Sequence, residues 1–221
     1  NKPSHGFEEE GSVECWASTD KGKIWKKRGV PAPHPSGQTI PLFAAGIDNE
    51  NLIVLSTGVE INNGKVGSFQ PMWVSYSEDQ GYSWQINKSV KIPKTCGLCI
   101  PFGRIIKLQD GRLATTFYRS QDNGNSGKTW IVFSNNGGKS WQDPSIIGGN
   151  DSGESVILQT AGNQILSVLR TFANHHVKLC LSNDLGKNWA EKEPLTLPMQ
   201  HPADLIKLNN NMLLMTYGIR N

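Results

Sequence analysis

Ser77-Glu-Asp-Gln-Gly-Tyr-Ser-Trp84 carries the pattern Ser-x-Asp-x-Gly-x-x-Trp. The chain repeats it at Ser18-Thr-Asp-Lys-Gly-Lys-Ile-Trp25, Ser134-Asn-Asn-Gly-Gly-Lys-Ser-Trp141 and Ser182-Asn-Asp-Leu-Gly-Lys-Asn-Trp189. Only Asn136 departs, standing where the other copies have Asp. Each octet has the chemistry of a tight turn: Ser and Asp oxygens accept hydrogen bonds from nearby backbone N–H groups, and Gly takes positive φ without steric cost. The Trp then leaves the turn as an apolar plug. The expectation is a hairpin at each octet, with Trp25, Trp84, Trp141 and Trp189 anchoring equivalent places in successive units.

Outward from the octets, the pattern is strand, turn, strand. Ser12–Ala17 runs into the first and Trp25–Arg28 leads out of it. Val30-Pro-Ala-Pro-His-Pro35 lacks ladder donors at three prolines, so it reads as a crossing to the next unit rather than a central strand. Leu42–Ala45, Leu52–Leu55 and Met72–Tyr76 lead to the second octet. Gly103–Leu108, Leu113–Tyr118 and Trp130–Phe133 lead to the third, and Glu154–Leu158, Ile165–Arg170 and Val177–Leu181 to the fourth. A last pair, Asp204–Leu208 and Met212–Tyr217, flanks a turn of three asparagines. The octet tryptophans fall 59, 57 and 48 residues apart, near the roughly 40–50 residues of a four-stranded propeller blade. The fold class is therefore all-β, at a spacing compatible with a β-propeller of four-stranded antiparallel blades, of which this chain would supply about four.

Composition narrows the partners. The formal charge is +3 at pH 7, with 22 basic and 19 acidic residues, and no basic run exceeds Lys26-Lys27-Arg28, which argues against nucleic acid. No apolar run reaches the roughly 20 residues of a membrane-spanning helix. Cys96-Gly-Leu-Cys99 without a second pair, and His175-His176 with side chains diverging on a strand, read as a disulfide or two buried thiols rather than a metal site.

The octet resembles the Asp-box of sialidases and related proteins built from bacterial neuraminidase repeats, and the four copies extend the resemblance over nearly the whole chain. It implies a six-bladed propeller in which each box joins the third and fourth strands of a blade, on the face away from the active centre. Residues 1–221 then read as a single domain, an incomplete part of that larger propeller. A secreted or periplasmic location is also implied. The boxes thus identify the fold, while chemistry must come from other residues.

Sialic acid carries a carboxylate, which calls for guanidinium groups able to grip it in a planar, bidentate way. Glu154 and Arg170, 16 residues apart across a strand-turn-strand hairpin, resemble the family's pairing of a Glu that assists a Tyr nucleophile with an Arg that holds the carboxylate. Arg220, at the equivalent end of the next hairpin, is the candidate for a second such arginine. Arg104 and Tyr118, with Arg119, occupy corresponding ends in the preceding unit and would line the same mouth. The plain alternative for Glu154 and Arg170 is a salt bridge that merely fixes its hairpin. Arg104-Ile-Ile106 differs from the family's Arg-Ile-Pro signature, and the Asp that protonates the leaving group is not identifiable; both would be expected before Asn1.

Three readings stand. The first is an exo-acting sialidase-like glycosidase on a terminal sialic acid or related acidic sugar, with no cofactor and no metal. The second is a non-catalytic propeller binding glycan or protein. The third is a uronic-acid polysaccharide lyase, which would need a Tyr or His such as His34, His175 or His201 to remove a proton.

Overall fold

The computed structural model describes residues 9–119 and 127–220. The expectations that fall on residues 1–8 and 221 lie outside them. The chain forms two compact units, Asn1–Lys91 and Ile92–Asn221. Both are built from antiparallel strands, and the described helical structure is one 3-10 turn, Lys94–Cys96.

In the first unit β1 (Val13–Ala17) and β2 (Lys26–Ala32) pair around the first octet. A second sheet follows: β3 (Gln38–Asp48), β4 (Asn51–Asn62), β6 (Trp73–Ser77) and β7 (Gln85–Asn87) pair in that order, and β5 (Lys65–Phe69) pairs with the far end of β4. Asp48 opposes Asn51 across a two-residue loop in which Asn49 and Glu50 both take positive φ, the twist that matches a hairpin. Val13, Ala32, Ile40 and Trp73 form the core between the sheets. Pro31 was expected in a connection but lies inside β2. That strand pairs only with β1, and an edge strand tolerates a residue without an N–H.

In the second unit β8 (Ile100–Lys107), β9 (Leu113–Arg119), β10 (Lys128–Ser134) and β11 (Gln142–Gly148) pair consecutively. So do β12 (Ser152–Gln159), β13 (Ile165–Thr171), β14 (Val177–Ser182) and β15 (Ala190–Pro194). β16 (Gln200–Lys207) and β17 (Leu213–Ile219) form a final hairpin. Ile157 and Leu169 pack with Ile131, Phe133 and Ile147 on one side of the β12–β15 sheet, while Val156 and Val168 pack with Leu205 and Phe102 on the other. Burial on both faces is why β12 and β13 read as unbroken apolar runs rather than alternating ones.

The second, third and fourth octets each turn between the last two strands of a consecutively paired run, β6–β7, β10–β11 and β14–β15, while the first joins the two strands β1 and β2, and the hydrogen bonds of the octets repeat. In the second, Ser77 Oγ donates to Asp79 Oδ1 (2.8 Å), Gly81 N to Ser77 Oγ (2.7 Å), Ser83 N to Asp79 Oδ1 (2.9 Å) and Trp84 Nε1 to Gly81 O (3.0 Å). The first and fourth keep all four bonds. In the third, Asn136 Nδ2 donates to Ser140 Oγ (2.8 Å), the reverse of the bond that Ser83 Oγ gives Asp79 Oδ2 (2.6 Å). The second and fourth turns dock on the preceding sheet of their own unit. A Cβ on Gly81 would meet Cys15 Sγ at 2.6 Å, and one on Gly186 would meet Ile131 and Phe133 at 3.1 Å. Trp141 is buried, but Trp25 is 59% exposed, contrary to its expected role as a plug. The reason is positional: among the described residues no sheet precedes β1 for the first turn to dock on.

Candidate functional site

The β12–β13 ladder places the candidate pair. Ser152 opposes Thr171 and Ser155 opposes Leu169, so the extra residue of β12 forms a bulge at Gly153-Glu154, across from Arg170. A bulge releases carbonyls from the ladder, and here the neighbouring sheet satisfies them: Thr129 Oγ1 donates to Gly153 O and Thr116 Oγ1 to Ser155 O, both at 2.6 Å. Glu154 is thus pinned on either side. Because β12 runs away from this end and β14 ends at the fourth octet, Glu154 and Arg170 lie at the end of the sheet opposite the box.

Arg170 Nη1 donates to Glu154 Oε1 and Oε2, each at 2.7 Å, with both side chains only 15% exposed. The guanidinium also lies 5.1 Å over the Phe172 ring. The turn after β13 is clamped by Asp151, whose Oδ1 accepts from Phe172 N (3.0 Å) and Ala173 N (2.6 Å), while Thr171 N donates to His176 O (2.9 Å). His175 and His176 therefore sit in a turn, not on the expected strand. His175 Nδ1 lies 3.4 Å from Arg170 Nη2, and its ring stacks on His201 with centroids 5.4 Å apart.

Tyr118 is buried, with its ring edge-on to Phe102. Burial first, and then the Glu154 charge, push its phenol pKa upward against the pull of Arg170, so it enters the site protonated, as a hydrogen-bond donor. His201, near the start of β16, is buried, and its pKa is lowered to about 4, by burial first and then by Arg170, Arg220 and His175, with Glu154 opposing. Arg220 follows β17, its backbone N–H held by Met199 O at 2.9 Å. Two guanidiniums, Arg170 and Arg220, stand near the Glu154 carboxylate with His201 neutral, while Asp151 is engaged by the backbone N–H groups of the turn; guanidiniums are the groups suited to holding a carboxylate.

Arg104 is placed differently. Its Nη2 donates to Asp204 Oδ2 at 2.6 Å, both side chains more than two-fifths exposed, and the pair lines a cleft of about 480 Å³ with Phe102, Val156, Pro202 and Tyr217. The structure therefore brings Glu154, Arg170 and Arg220 within electrostatic reach of His201, and Tyr118 within reach of Glu154 and Arg170, and it sets Arg104 in a cleft with Asp204. His175 and His201, named from the sequence as proton-removing candidates of a lyase, lie here beside Arg170, and Asp151, for which the sequence suggested no role, clamps the turn next to it. Among these, only the position of His201, at the hairpin end equivalent to Glu154, signalled a place in this site. The four cysteines are free thiols, with Cys96 and Cys99 buried. Among the described residues no cluster of three or more His, Cys, Asp or Glu could hold a metal ion. No described helix is long and apolar enough to cross a membrane.

The family of BNR repeat-like domains matches residues 4–221. A protein named sialidase from Bacteroides fragilis (strain YCH46) is 26% identical over 205 residues, which is 80% of this chain and 36% of that protein. A Dyadobacter fermentans protein of unknown function superposes with a TM-score of 0.77 at 19% identity, over 95% of this chain and 65% of that one. Trypanosoma rangeli sialidase in complex with sialic acid superposes at 0.66 and 13% identity, over 93% of this chain and 38% of that one. The chain spans about a third of the length of the curated relative. The structural likenesses establish the fold, all-β and propeller-like.

Proposed function

This chain belongs to the family of BNR repeat-like domains, and on that premise we propose that it forms part of a sialidase-like exo-glycoside hydrolase acting on a terminal sialic acid or related acidic sugar. The whole protein is read as a six-bladed propeller of four-stranded blades, to which residues 1–221 contribute. The observation that carries the reading is the buried Glu154–Arg170 pair, held at the sheet end opposite the boxes with Tyr118, His201 and Arg220 around it. The names of the Bacteroides fragilis relative and of the Trypanosoma rangeli enzyme, the latter solved with sialic acid, support the choice of sugar.

In this account Arg170 and Arg220 grip the carboxylate of the sugar, and the protonated Tyr118 donates to the bound ligand. Glu154 orients Arg170 in the free protein and serves as the base for a Tyr nucleophile, the residue type that replaces a carboxylate in sialidases. A phenolate generated at the moment of attack avoids the standing repulsion that a carboxylate nucleophile would meet from an anionic sugar. Retention through a glycosyl-tyrosine intermediate follows.

The assay is release of umbelliferone from its α-ketoside of N-acetylneuraminic acid by the protein containing this chain. Turnover in the wild type that is lost in Arg170→Ala and in Glu154→Gln supports the reading. Binding of the sugar without turnover would assign the site to a glycan-binding propeller, and turnover surviving in both variants would remove the pair from the chemistry.

A further inference from the structure

Arg170 is held from two sides. On one, Nη1 reaches both oxygens of Glu154; on the other, Nη2 lies 3.4 Å from His175 Nδ1. A guanidinium has donors and no acceptor, so His175 Nδ1 must accept. The contact is a hydrogen bond only with an imidazole that carries its proton on Nε2 and leaves Nδ1 free to accept. The ring is backed by His201, stacked with planes 29° apart, and His201 is itself buried. The backbone supports the same placement. His175 sits at a φ of 50°, an uncommon conformation for a residue with a Cβ, in the turn that Asp151 clamps.

We propose that His175 is a positioning residue for Arg170: its neutral imidazole, backed by His201, orients the guanidinium toward the carboxylate of a bound acidic sugar, and a proton on His175 dissolves that arrangement. The proposal rests on the reading of Arg170 as the group that grips the carboxylate. The charged groups around the stack are Arg170 from β13, Glu154 from β12 and Arg220 beyond β17, with Asp151 on the turn that carries His175. A proton on either stacked imidazole would add a charge of the same sign as the adjoining Arg170 guanidinium. It would also turn the acceptor at Nδ1 into a donor facing a donor.

Two readouts test this on the protein containing this chain. The first needs no ligand: long-range proton–nitrogen NMR of the imidazoles. The expected result is an Nε2–H tautomer for His175 at neutral pH, with an Nδ1 resonance that moves in Glu154→Gln/Arg170→Met, a pair of changes that leaves no orphaned charge, and stays put in Arg104→Met. An Nδ1–H tautomer, or no response to loss of Arg170, would overturn the proposal.

The second readout is calorimetric binding of 2-deoxy-2,3-didehydro-N-acetylneuraminic acid across pH. His175→Phe should weaken binding about tenfold, the equivalent of one misplaced hydrogen bond. His175→Asn, whose Oδ1 can accept in place of Nδ1 and which tolerates positive φ, should restore it and flatten the acid side of the profile. Affinity and profile unchanged in His175→Phe would sink the proposal and leave the acidic-sugar reading standing. Absence of binding by the wild type would tell against that reading, and the NMR result then decides on His175 by itself.

Discussion

Replacing Glu154 with Gln removes the charge that neutralises Arg170 while keeping the shape of the side chain. Both partners are 15% exposed, so water screens them little. Removing one member of a buried pair costs about 3–5 kcal/mol, because the other charge is left uncompensated. The residual exposure and the neighbouring His175 place the expected cost at the lower end, about 3 kcal/mol. For a chain of this size each kcal/mol lowers Tm by about 2–4 °C, so Glu154→Gln should lose about 6–12 °C in a thermal melt followed by far-ultraviolet circular dichroism. The double variant Glu154→Gln/Arg170→Met carries no orphaned charge and should recover most of that loss, a non-additivity that a double-mutant cycle reads directly. A shift below about 1 °C for Glu154→Gln, with no recovery in the double variant, is the behaviour of a screened surface pair. It would refute the reasoning that makes this pair the centre of the site.

Two glycines at equivalent octet positions separate conformational strain from crowding. Gly22→Ala and Gly186→Ala both force positive φ, at 86° and 84°, costing about 1–2 kcal/mol each. Only at Gly186 would the new Cβ press on Ile131 and Phe133, adding about 1–3 kcal/mol. Urea titration should find Gly186→Ala the more destabilised, and equal losses would contradict the docking described. Thr129→Val strands the Gly153 carbonyl at the bulge and should cost about 1–3 kcal/mol by the same assay; a neutral outcome would mean that water replaces the hydroxyl.

The box carboxylates predict acid sensitivity. Asp79 is lowered to about 2, chiefly by the hydroxyl and N–H of Ser83, and Asp184 to about 2, chiefly by Asn188. A folded-state pKa below the unfolded value of about 3.9 gives stability that is full above that value and lost as pH falls through about 2. The urea midpoint should therefore drop between about pH 4 and pH 2, and drop less in Asp79→Asn. An identical drop in wild type and variant would remove the box from the account.

What could be read from the sequence followed from local chemistry. The octets fixed their own turns because Ser, Asp and Gly satisfy each other within eight residues, and the third copy works with Asn136 because an amide oxygen accepts the same N–H. The spacing of Glu154 and Arg170 located a hairpin end, and the structure closes that pair. Non-local features were not legible. Nothing near Trp25 in the sequence distinguishes it from Trp84, since its exposure depends on which sheet precedes it. His175 read as a strand residue because the strand-forming runs on both sides, Ile165–Arg170 and Val177–Leu181, gave no local sign that Asp151, far back in the chain, caps the turn between them. The role of Arg104 was hidden for the same reason: Asp204, its ion-pair partner, lies 100 residues away.

The central claim, that Arg170 serves an acidic-sugar pocket, is tested most directly by calorimetric binding of 2-deoxy-2,3-didehydro-N-acetylneuraminic acid and of its methyl ester to the wild type and to Arg170→Ala. The account predicts that the free acid binds the wild type and that the variant and the ester each lose about 10–100-fold, the worth of charge-assisted hydrogen bonds. Equal affinity for acid and ester, or an acid that binds Arg170→Ala as well as the wild type, would contradict it.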